Sequence, residues 1–98
     1  MYTLEFEPAA FRIFKKLPPD VKRKITEETK TLENNPLKGN TLQGKYSFLR
    51  SLHFSYKGTA YRIIYQVLSK TSTIVIRLAT TRENIYRRLS EMKVKPSV

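Results

Sequence analysis

Four side chains between residues 49 and 89 have the types and spacing that chemistry on a phosphodiester would use. Three strand-like runs in this region carry isolated basic residues, and a Thr-Thr-Arg-Glu-Asn-Ile-Tyr corner follows them. We expect one surface of the folded chain to carry the side chains of Arg62, Arg82, Tyr86 and His53. Such a surface would have the groups that RNA cleavage without a metal ion needs.

Each of these residue types suits a different step of a reaction in which the neighbouring 2′-hydroxyl attacks the phosphorus. Arginine has a planar, permanently charged fork that matches phosphate oxygens, so Arg62 and Arg82 suit substrate binding and transition-state stabilisation. Tyr86 suits proton transfer or stacking on a base. Histidine has a reference pKa near neutrality, so His53 is a candidate acid or base if it faces Arg62. Strand alternation permits that pairing, because both residues lie opposite the more apolar faces of their strands.

Each of these four residues also has a structural alternative. Arg62 would then extend from a sheet edge into solvent. Arg82 would belong only to the start of a helix, although a cation opposes the helix dipole there. Tyr86 would pack in the core with its hydroxyl at the surface. His53 would be a structural histidine, which is the commoner role of a single histidine in a strand.

Other basic and aromatic residues receive more general interpretations. Six basic residues are interpreted as RNA-binding contacts without base specificity or as solvated charges, namely Lys45, Arg50, Lys57, Arg77, Arg87 and Arg88. The aromatic residues Phe48, Phe54 and Tyr65 are interpreted as core residues rather than as platforms for stacked bases.

The charge balance indicates a polyanionic partner. The 98 residues include 19 Lys and Arg against eight Asp and Glu, which gives a formal net charge of +11. A charge of this size repels itself in the folded state and attracts polyanions, so nucleic acid is the first partner to consider and an acidic protein the second. The other interpretation is a solubilising surface, although such surfaces usually mix both signs.

The composition also argues against several classes of protein. The chain has no cysteine and one histidine, so we expect no disulfide, no metal site and no cofactor. Hydrophobic residues make up 40% of it, which suits a globular domain rather than a disordered one. No apolar run approaches the roughly 20 residues of a membrane span, and no signal-peptide pattern opens the chain. We therefore expect a cytoplasmic protein with no membrane partner.

The first half of the chain predicts one strand and two helices. Residues 2–6 alternate apolar and polar side chains, as a half-buried strand does. Helical spacing follows from Ala10 to Leu17, and Pro18-Pro19 then breaks the helix. A second helix, with Asp20 in its first turn, stops at Asn34-Asn35-Pro36. The two helices should form an antiparallel hairpin.

The second half predicts three strands and a last helix. Alternating patterns extend over residues 48–56, 61–67 and 74–78, with turns near residues 57–59 and 69–72. One face of each strand is the more apolar, and its residues are Phe48, Leu52, Phe54 and Tyr56 in the first strand, Tyr61, Ile63, Tyr65 and Val67 in the second, and Ile74, Ile76 and Leu78 in the third. Thr81 is predicted to cap a helix that contains Ile85, Tyr86 and Leu89. The chain from Lys93 onward is polar and is predicted to fray.

These elements predict an α+β fold in the order β-α-α-β-β-β-α. A helical hairpin would pack on a mainly antiparallel four-stranded sheet. Residues 1–92 would form a single domain, and residues 93–98 a polar C-terminal tail.

Two segments carry a resemblance to a known family. Residues 60–67 read Ala-Tyr-Arg-Ile-Ile-Tyr-Gln-Val, and residues 81–86 read Thr-Arg-Glu-Asn-Ile-Tyr. The opening strand, the Phe-Lys-Lys-Leu-Pro stretch and the Asn-Pro-Leu-Lys-Gly loop agree as well. Over nearly the whole chain, this set of segments resembles the RelE/ParE superfamily of toxins from type II toxin–antitoxin systems, with the RelE-like branch favoured.

The resemblance implies a ribosome-dependent endoribonuclease, or mRNA interferase, that inhibits translation and that a cognate antitoxin holds inactive. In such members a cluster of basic residues and a tyrosine on the concave face of the sheet carries the cleavage. Arg62 matches the arginine of the family's central strand. Arg82 matches the arginine of its corner, and Tyr86 matches its C-terminal tyrosine.

The chain departs from the family pattern on the strand before the central one. Ser51 and His53 occupy positions where the RelE branch carries lysines. Two alternatives to mRNA cleavage therefore stay open. One is a non-catalytic toxin of the ParE type, which poisons DNA gyrase, and the other is a basic nucleic-acid-binding module.

Overall fold

The computed structural model describes residues 1–83 and 85–96, so Asn84 of the predicted corner and residues 97–98 of the predicted tail lie outside the described residues. The helices are α1 (Pro8–Phe14), α2 (Pro19–Lys30) and α3 (Ile85–Glu91). The strands are β1 (Thr3–Phe6), β2 (Asn40–Thr41), β3 (Arg50–Tyr56), β4 (Thr59–Leu68) and β5 (Thr73–Thr81). Among the described helices, none is long and apolar enough to cross a membrane.

The strands form one mixed sheet in the order β1-β5-β4-β3-β2. β1 runs parallel to β5, and the other neighbours are antiparallel, which confirms the predicted α+β class and the mainly antiparallel sheet. The described part of the sheet has one strand more than the four predicted. The additional strand is β2, in which Asn40 pairs with Ser51 and Thr41 with Arg50. Its two exposed polar residues offer no apolar alternation from which a strand could be predicted.

Helix α2 packs on one face of the sheet, whereas α1 contributes Phe14 to this side and Ile13 to the other. Val21 and Ile25 of α2 lie in a buried cluster with Leu52 of β3 and with β5 residues. Strand β4 contributes the alternate positions that the sequence assigned to the core, Tyr61, Ile63, Tyr65 and Val67. The predicted core face of the central strand is therefore confirmed.

The opposite face of the sheet packs against α3. Ile85 and Leu89 of the helix join Ile64 of β4 and Leu78 of β5 in a second buried cluster. Phe48 packs against this second cluster, so the prediction that it continues the core face of β3 is wrong. Two separate cores therefore hold the sheet, one on each side.

The C-terminal segment is part of the second core. Val94 is buried there, and the carbonyl of Lys95 accepts a 2.7 Å hydrogen bond from Nη2 of Arg77. The prediction that the chain frays from Lys93 is therefore wrong for residues 93–95. The segment is polar overall, so its composition does not predict the burial of Val94 or the hydrogen bond to the Lys95 carbonyl.

Two predicted helix boundaries also differ from the structure. Thr81 does not cap α3, because it is the last residue of β5 and pairs with Tyr61. Helix α2 ends at Lys30, before the predicted stop at Asn34-Asn35-Pro36, because the chain tightens into a 3₁₀ turn at Thr31–Glu33.

Tyr65 anchors the loop that precedes β2. Its side chain is fully buried, and its hydroxyl donates to the carbonyl of Pro36 at 2.8 Å and accepts from the backbone N–H of Gly39 at 2.9 Å. Burial raises the pKa of Tyr65, which keeps the hydroxyl protonated and able to donate. Gly39 has no room for a side chain, since a Cβ there would lie 2.7 Å from the carbonyl oxygen of Ser51.

We expect Tyr65→Phe to lower the free energy of unfolding by about 1–3 kcal/mol, because it leaves one donor and one acceptor of the loop without a partner. Urea unfolding followed by circular dichroism measures the change. Tyr86→Phe is the matched control, since the Tyr86 side chain is 45% exposed and the change should be nearly neutral. Equal stability of the two variants would contradict the anchoring role.

Candidate active site

The pairing of β3 with β4 brings His53 and Arg62 directly opposite each other, and Arg62 also lies opposite Thr80 of β5. A pocket of about 300 Å³ opens at this row, and we call it the arginine pocket. The described residues that line it are His53, Phe54, Ser55, Ala60, Tyr61, Arg62 and Arg82. It therefore brings together three of the four residues that the sequence put forward for chemistry.

A tight turn fixes the register that creates this pocket. Lys57 and Gly58 connect β3 to β4, and both have positive φ angles, of 51° and 78°, as a type I′ hairpin turn requires. The strands pair residue for residue from this turn, which puts His53 and Arg62 on the same face. The packing of α3 reaches Ile64, two residues further along β4, and leaves Arg62 partly exposed.

Arg62 has an unsatisfied donor. Its Nε is buried, and no hydrogen-bond partner for it exists among the described residues. Buried polar groups in folded proteins nearly always have a partner. The partly exposed guanidinium borders the pocket, where it can donate to a ligand oxygen, and phosphate oxygens match its planar fork.

His53 is held in the neutral form more strongly than an ordinary histidine. Partial burial lowers its pKa, and the positive charge of Arg62 lowers that pKa further. At neutral pH the imidazole is therefore uncharged and able to accept a proton. A neutral imidazole beside a guanidinium is the combination that a general base at a phosphate needs.

Arg82 closes the pocket from the end of β5. Its backbone N–H donates to the carbonyl of Ala60 at 3.1 Å, which continues the β4–β5 pairing by one residue. The side chain is exposed and lines the pocket. Arg82 thus adds a second cation close to Arg62, from a backbone position that the sheet fixes.

Tyr86 is not among the residues that line the arginine pocket. It lies on α3, is 45% exposed, and its ring centroid is 6.1 Å from that of Tyr46. The structure therefore does not bring Tyr86 into the group formed by His53, Arg62 and Arg82. Its role in catalysis stays a prediction.

Three of the six general RNA-binding candidates are occupied by contacts within the protein. Arg77 is 5% exposed and forms a 2.6 Å ion pair with Glu7, so it is a buried structural residue and not a surface contact for RNA. Arg50 donates to the carbonyl of Gly39 at 2.6 Å. Lys57 forms a 2.9 Å ion pair with Asp20.

Lys57 keeps 72% of its side chain exposed despite its ion pair, and the other three candidates are likewise accessible to a polyanion. Lys45 is exposed and lies over the ring of Tyr46, 5.3 Å from its centroid. Arg87 is exposed, with a loose contact of 3.9 Å to Glu91, and Arg88 is partly exposed on the same helix. These residues can contribute to the general attraction of RNA, but nothing in their surroundings gives them base specificity.

The sequence interpretation missed other residues of the arginine pocket. Ser55 follows His53 at strand spacing, so the alternation itself could have identified it. Tyr61 also borders the pocket, although its ring packs against the first core and stacks on Phe54 with centroids 5.3 Å apart. Ala60 has no chemistry from which it could have been found. Among the described residues, no group of three or more His, Cys, Asp and Glu side chains could hold a metal ion.

Comparison with known proteins identifies the family to which this chain belongs. A family model for the ParE-like toxin of type II bacterial toxin–antitoxin systems matches residues 4–90. The chain therefore belongs to this toxin family, within the RelE/ParE superfamily that its motifs resemble. No curated protein sequence matches the chain significantly.

Solved structures of RelE and YoeB complexes share the fold. One is the RelBE2 toxin–antitoxin complex of Mycobacterium tuberculosis, with 30% identity and a TM-score of 0.70 over 83% of this chain and 98% of that one. The intact E. coli RelBE complex has 21% identity and a TM-score of 0.72, over 86% of this chain and all of that one. The Staphylococcus aureus YoeB–YefM complex has 20% identity and a TM-score of 0.65, over 84% and 98%. At these identities the last two show the fold alone.

Proposed function

We propose that this toxin is an endoribonuclease that cuts mRNA on the ribosome, in the cytoplasm, without a metal ion. The observation that carries the proposal is the arginine pocket, which groups two guanidinium side chains with a neutral imidazole. This set supplies charge stabilisation and a proton acceptor at one place. The ribosome as the place of action follows from the resemblance to the RelE branch.

The proposed reaction is the attack of a ribose 2′-oxygen on the adjacent phosphorus. The bond from the 2′-oxygen to phosphorus forms and the bond from phosphorus to the 5′-oxygen breaks, which leaves a 2′,3′-cyclic phosphate and a 5′-hydroxyl. His53 takes the 2′-hydroxyl proton, and Arg62 and Arg82 bind the phosphate oxygens on which negative charge grows. The leaving 5′-oxygen takes up a proton, for which Tyr86 stays the candidate donor.

A cognate antitoxin is the proposed protein partner. The RelBE2 and RelBE neighbours are toxin–antitoxin complexes. The formal charge of +11 on this chain suits an acidic partner segment, and a segment that folds on binding can cover a wide area of a small domain.

Primer extension on a reporter mRNA after expression of the toxin tests the proposed activity. We expect new 5′ ends within the coding region, and only where the mRNA is translated. The same mRNA without its start codon is the control. Growth arrest with intact mRNA would overturn the proposal.

Inhibition of DNA gyrase is the second candidate function, favoured by the ParE-like description of the matching family model. A supercoiling assay with the purified toxin separates the two candidates. Inhibition of gyrase without RNA cleavage would select the ParE-type function. It would also leave the grouping of His53 with Arg62 without a catalytic purpose.

The fall of kcat at acidic pH should depend on the protonation of His53. Its pKa lies below the ordinary value of 6.5, so the base is neutral at pH 7 and becomes protonated only as the pH falls through that lowered pKa. We therefore expect kcat to be constant near neutrality and to fall on acidification. His53→Gln should lower kcat by about 10²–10⁴-fold and remove this acid limb. An unchanged acid limb in His53→Gln would exclude His53 as the base.

A further inference from the structure

A basic pocket lies beside the C-terminal end of α3 and shares no lining residue with the arginine pocket. It has a volume of about 370 Å³, within the range of pockets that hold small ligands, and we call it the lysine pocket. Three cations line it, Lys45 from the 3₁₀ turn before β3 and Lys93 and Lys95 from the segment after α3. None of the three forms an ion pair with a described acidic residue.

The remaining lining of the lysine pocket is mainly apolar. Tyr46, Phe48, Val94 and Pro96 contribute to it, and the rings of Tyr46 and Phe48 lie side by side with centroids 6.5 Å apart. Among the described residues that line this pocket, none is acidic. An ammonium group donates hydrogen bonds and accepts none, so the pocket suits a ligand that joins an anionic group of acceptors to an apolar ring.

Lys93 occupies a backbone position that favours glycine. The N–H of Val94 donates to the carbonyl of Leu89 at 3.2 Å, and the N–H of Lys93 donates to that of Ser90 at 3.0 Å, which are the two bonds of a Schellman motif. Lys93 has the left-handed conformation of this motif, with a φ angle of 53°. Glycine adopts that conformation without the steric cost of a Cβ. A lysine here therefore brings a side chain to the pocket at a conformational cost, which indicates a role for that side chain.

The core of the protein holds the backbone of this pocket in place. Val94 is buried in the second core, and the carbonyl of Lys95 accepts a hydrogen bond from Arg77. Tyr46 is 6% exposed in the same core, and Nζ of Lys45 lies 5.3 Å from the centroid of its ring. The three lysines therefore extend from fixed backbone positions, which lowers the entropic cost of binding a ligand between them.

A nucleotide matches these groups better than an acidic peptide does. Its phosphate presents acceptors to the ammonium groups, and its base can lie against the apolar wall. A peptide also brings backbone N–H donors, for which the lining side chains carry no carboxylate or amide acceptor.

We propose that the lysine pocket binds a nucleotide, with the phosphate between Lys45, Lys93 and Lys95 and the base against Phe48 and Pro96. This inference goes beyond the proposed cleavage, because binding in this pocket requires no cut. A nucleotide within an RNA strand and a free mononucleotide offer the same chemistry, and the experiment distinguishes these two sources.

The test is an NMR titration of the purified, isotope-labelled toxin with adenosine 5′-monophosphate, inorganic phosphate and a 2′-O-methylated RNA pentamer. We expect adenosine 5′-monophosphate to shift the amide signals of residues 45–48 and 90–95. Inorganic phosphate should bind about 10- to 100-fold more weakly at these residues, the factor that contact with one base supplies. Tighter binding of the pentamer than of the mononucleotide would identify RNA as the source. Equal or weaker binding of the pentamer would identify a free nucleotide.

Lys93→Gly tests the pocket without disturbing the fold, because it removes one ammonium group and relieves the left-handed backbone at the same position. It should unfold near the wild-type temperature and bind adenosine 5′-monophosphate about 10-fold more weakly, the effect of losing one hydrogen bond to a charged group. Lys16→Gly is the matched control, since it removes the same charge from an exposed position outside the pocket. It should bind the nucleotide as the wild type does.

Three results would overturn the nucleotide site. One is the absence of shifts at residues 45–48 and 90–95 with both the mononucleotide and the pentamer. Another is equal affinity of Lys93→Gly and Lys16→Gly for adenosine 5′-monophosphate. The third is binding of inorganic phosphate as tight as that of the mononucleotide, since the base would then contribute nothing.

Discussion

Arg62→Ala should lower the rate of RNA cleavage by about two to three orders of magnitude, the effect of removing one donor from a site that stabilises an oxyanion. The side chain borders the arginine pocket, and its buried Nε has no partner among the described residues. Its loss therefore removes no side-chain hydrogen bond to another described residue. Because the interaction strengthens as charge builds on the phosphate, the loss should appear mainly in kcat. Single-turnover cleavage of a ribosome-bound mRNA measures it.

Two further variants distinguish the specific contribution of the Arg62 guanidinium from the general effect of a positive charge. Arg62→Lys keeps the charge but loses the planar fork, so its rate should fall between those of the wild type and the alanine variant. Arg23→Ala removes the same charge from an exposed position on α2 and should cut RNA nearly as fast as the wild type. The catalytic role would be refuted if Arg62→Ala and Arg23→Ala had equal rates. Full growth arrest by Arg62→Ala in cells would lead to the same conclusion.

Local patterns in the sequence were sufficient for most of the fold. The two-residue period of β4 identified its core face correctly, from Tyr61 to Val67, because that strand is long and one face is continuously apolar. The two-residue turn at Lys57-Gly58 fixes the register of the neighbouring strand, and so the facing of His53 and Arg62 was predictable as well.

A β-bulge explains why the same pattern failed on β5. The register of β5 against β4 shifts between Ile64 and Tyr65, whose partners are Leu78 and Ile76. Arg77 is the extra residue between these partners. The alternation predicted that Ile76 and Leu78 share a face, but the bulge puts them in opposite cores. A one-residue insertion of this kind leaves no mark in a hydrophobic pattern, so the burial of Arg77 could not be predicted.

The two strand arginines show the limit of residue type as evidence of function. Arg62 and Arg77 are both single cations in apolar strands, and the sequence gives no reason to separate them. Their roles differ because of distant residues: the acidic partner of Arg77 is Glu7, 70 positions away, whereas Arg62 lines an open pocket with His53 and Arg82. The candidate site therefore became specific only once the partners of each arginine were known.

Arg77 connects three parts of the chain. Its guanidinium forms an ion pair with Glu7 between β1 and α1, donates to Gln66 of β4 at 2.7 Å, and donates to the carbonyl of Lys95 at 2.7 Å. Its side chain is 7% exposed and that of Glu7 is 31% exposed, so one end of the pair keeps contact with solvent. Removal of this cation leaves the three acceptors without their charged donor, and among them the Gln66 side chain is buried.

Arg77→Met should therefore lower the free energy of unfolding by about 2–4 kcal/mol, a value moderated by the access of Glu7 to solvent. Urea unfolding measures it, and trypsin cleavage after Lys93 should become faster as the C-terminal segment detaches. The matched control is Arg87→Met, whose exposed 3.9 Å contact with Glu91 should contribute less than about 0.5 kcal/mol. In a double-mutant cycle, Glu7→Gln should cost less in the Arg77→Met background than in the wild type, because its charged donor is already absent. Equal stability of Arg77→Met and Arg87→Met would mean that the network around Arg77 does not hold the C-terminal segment.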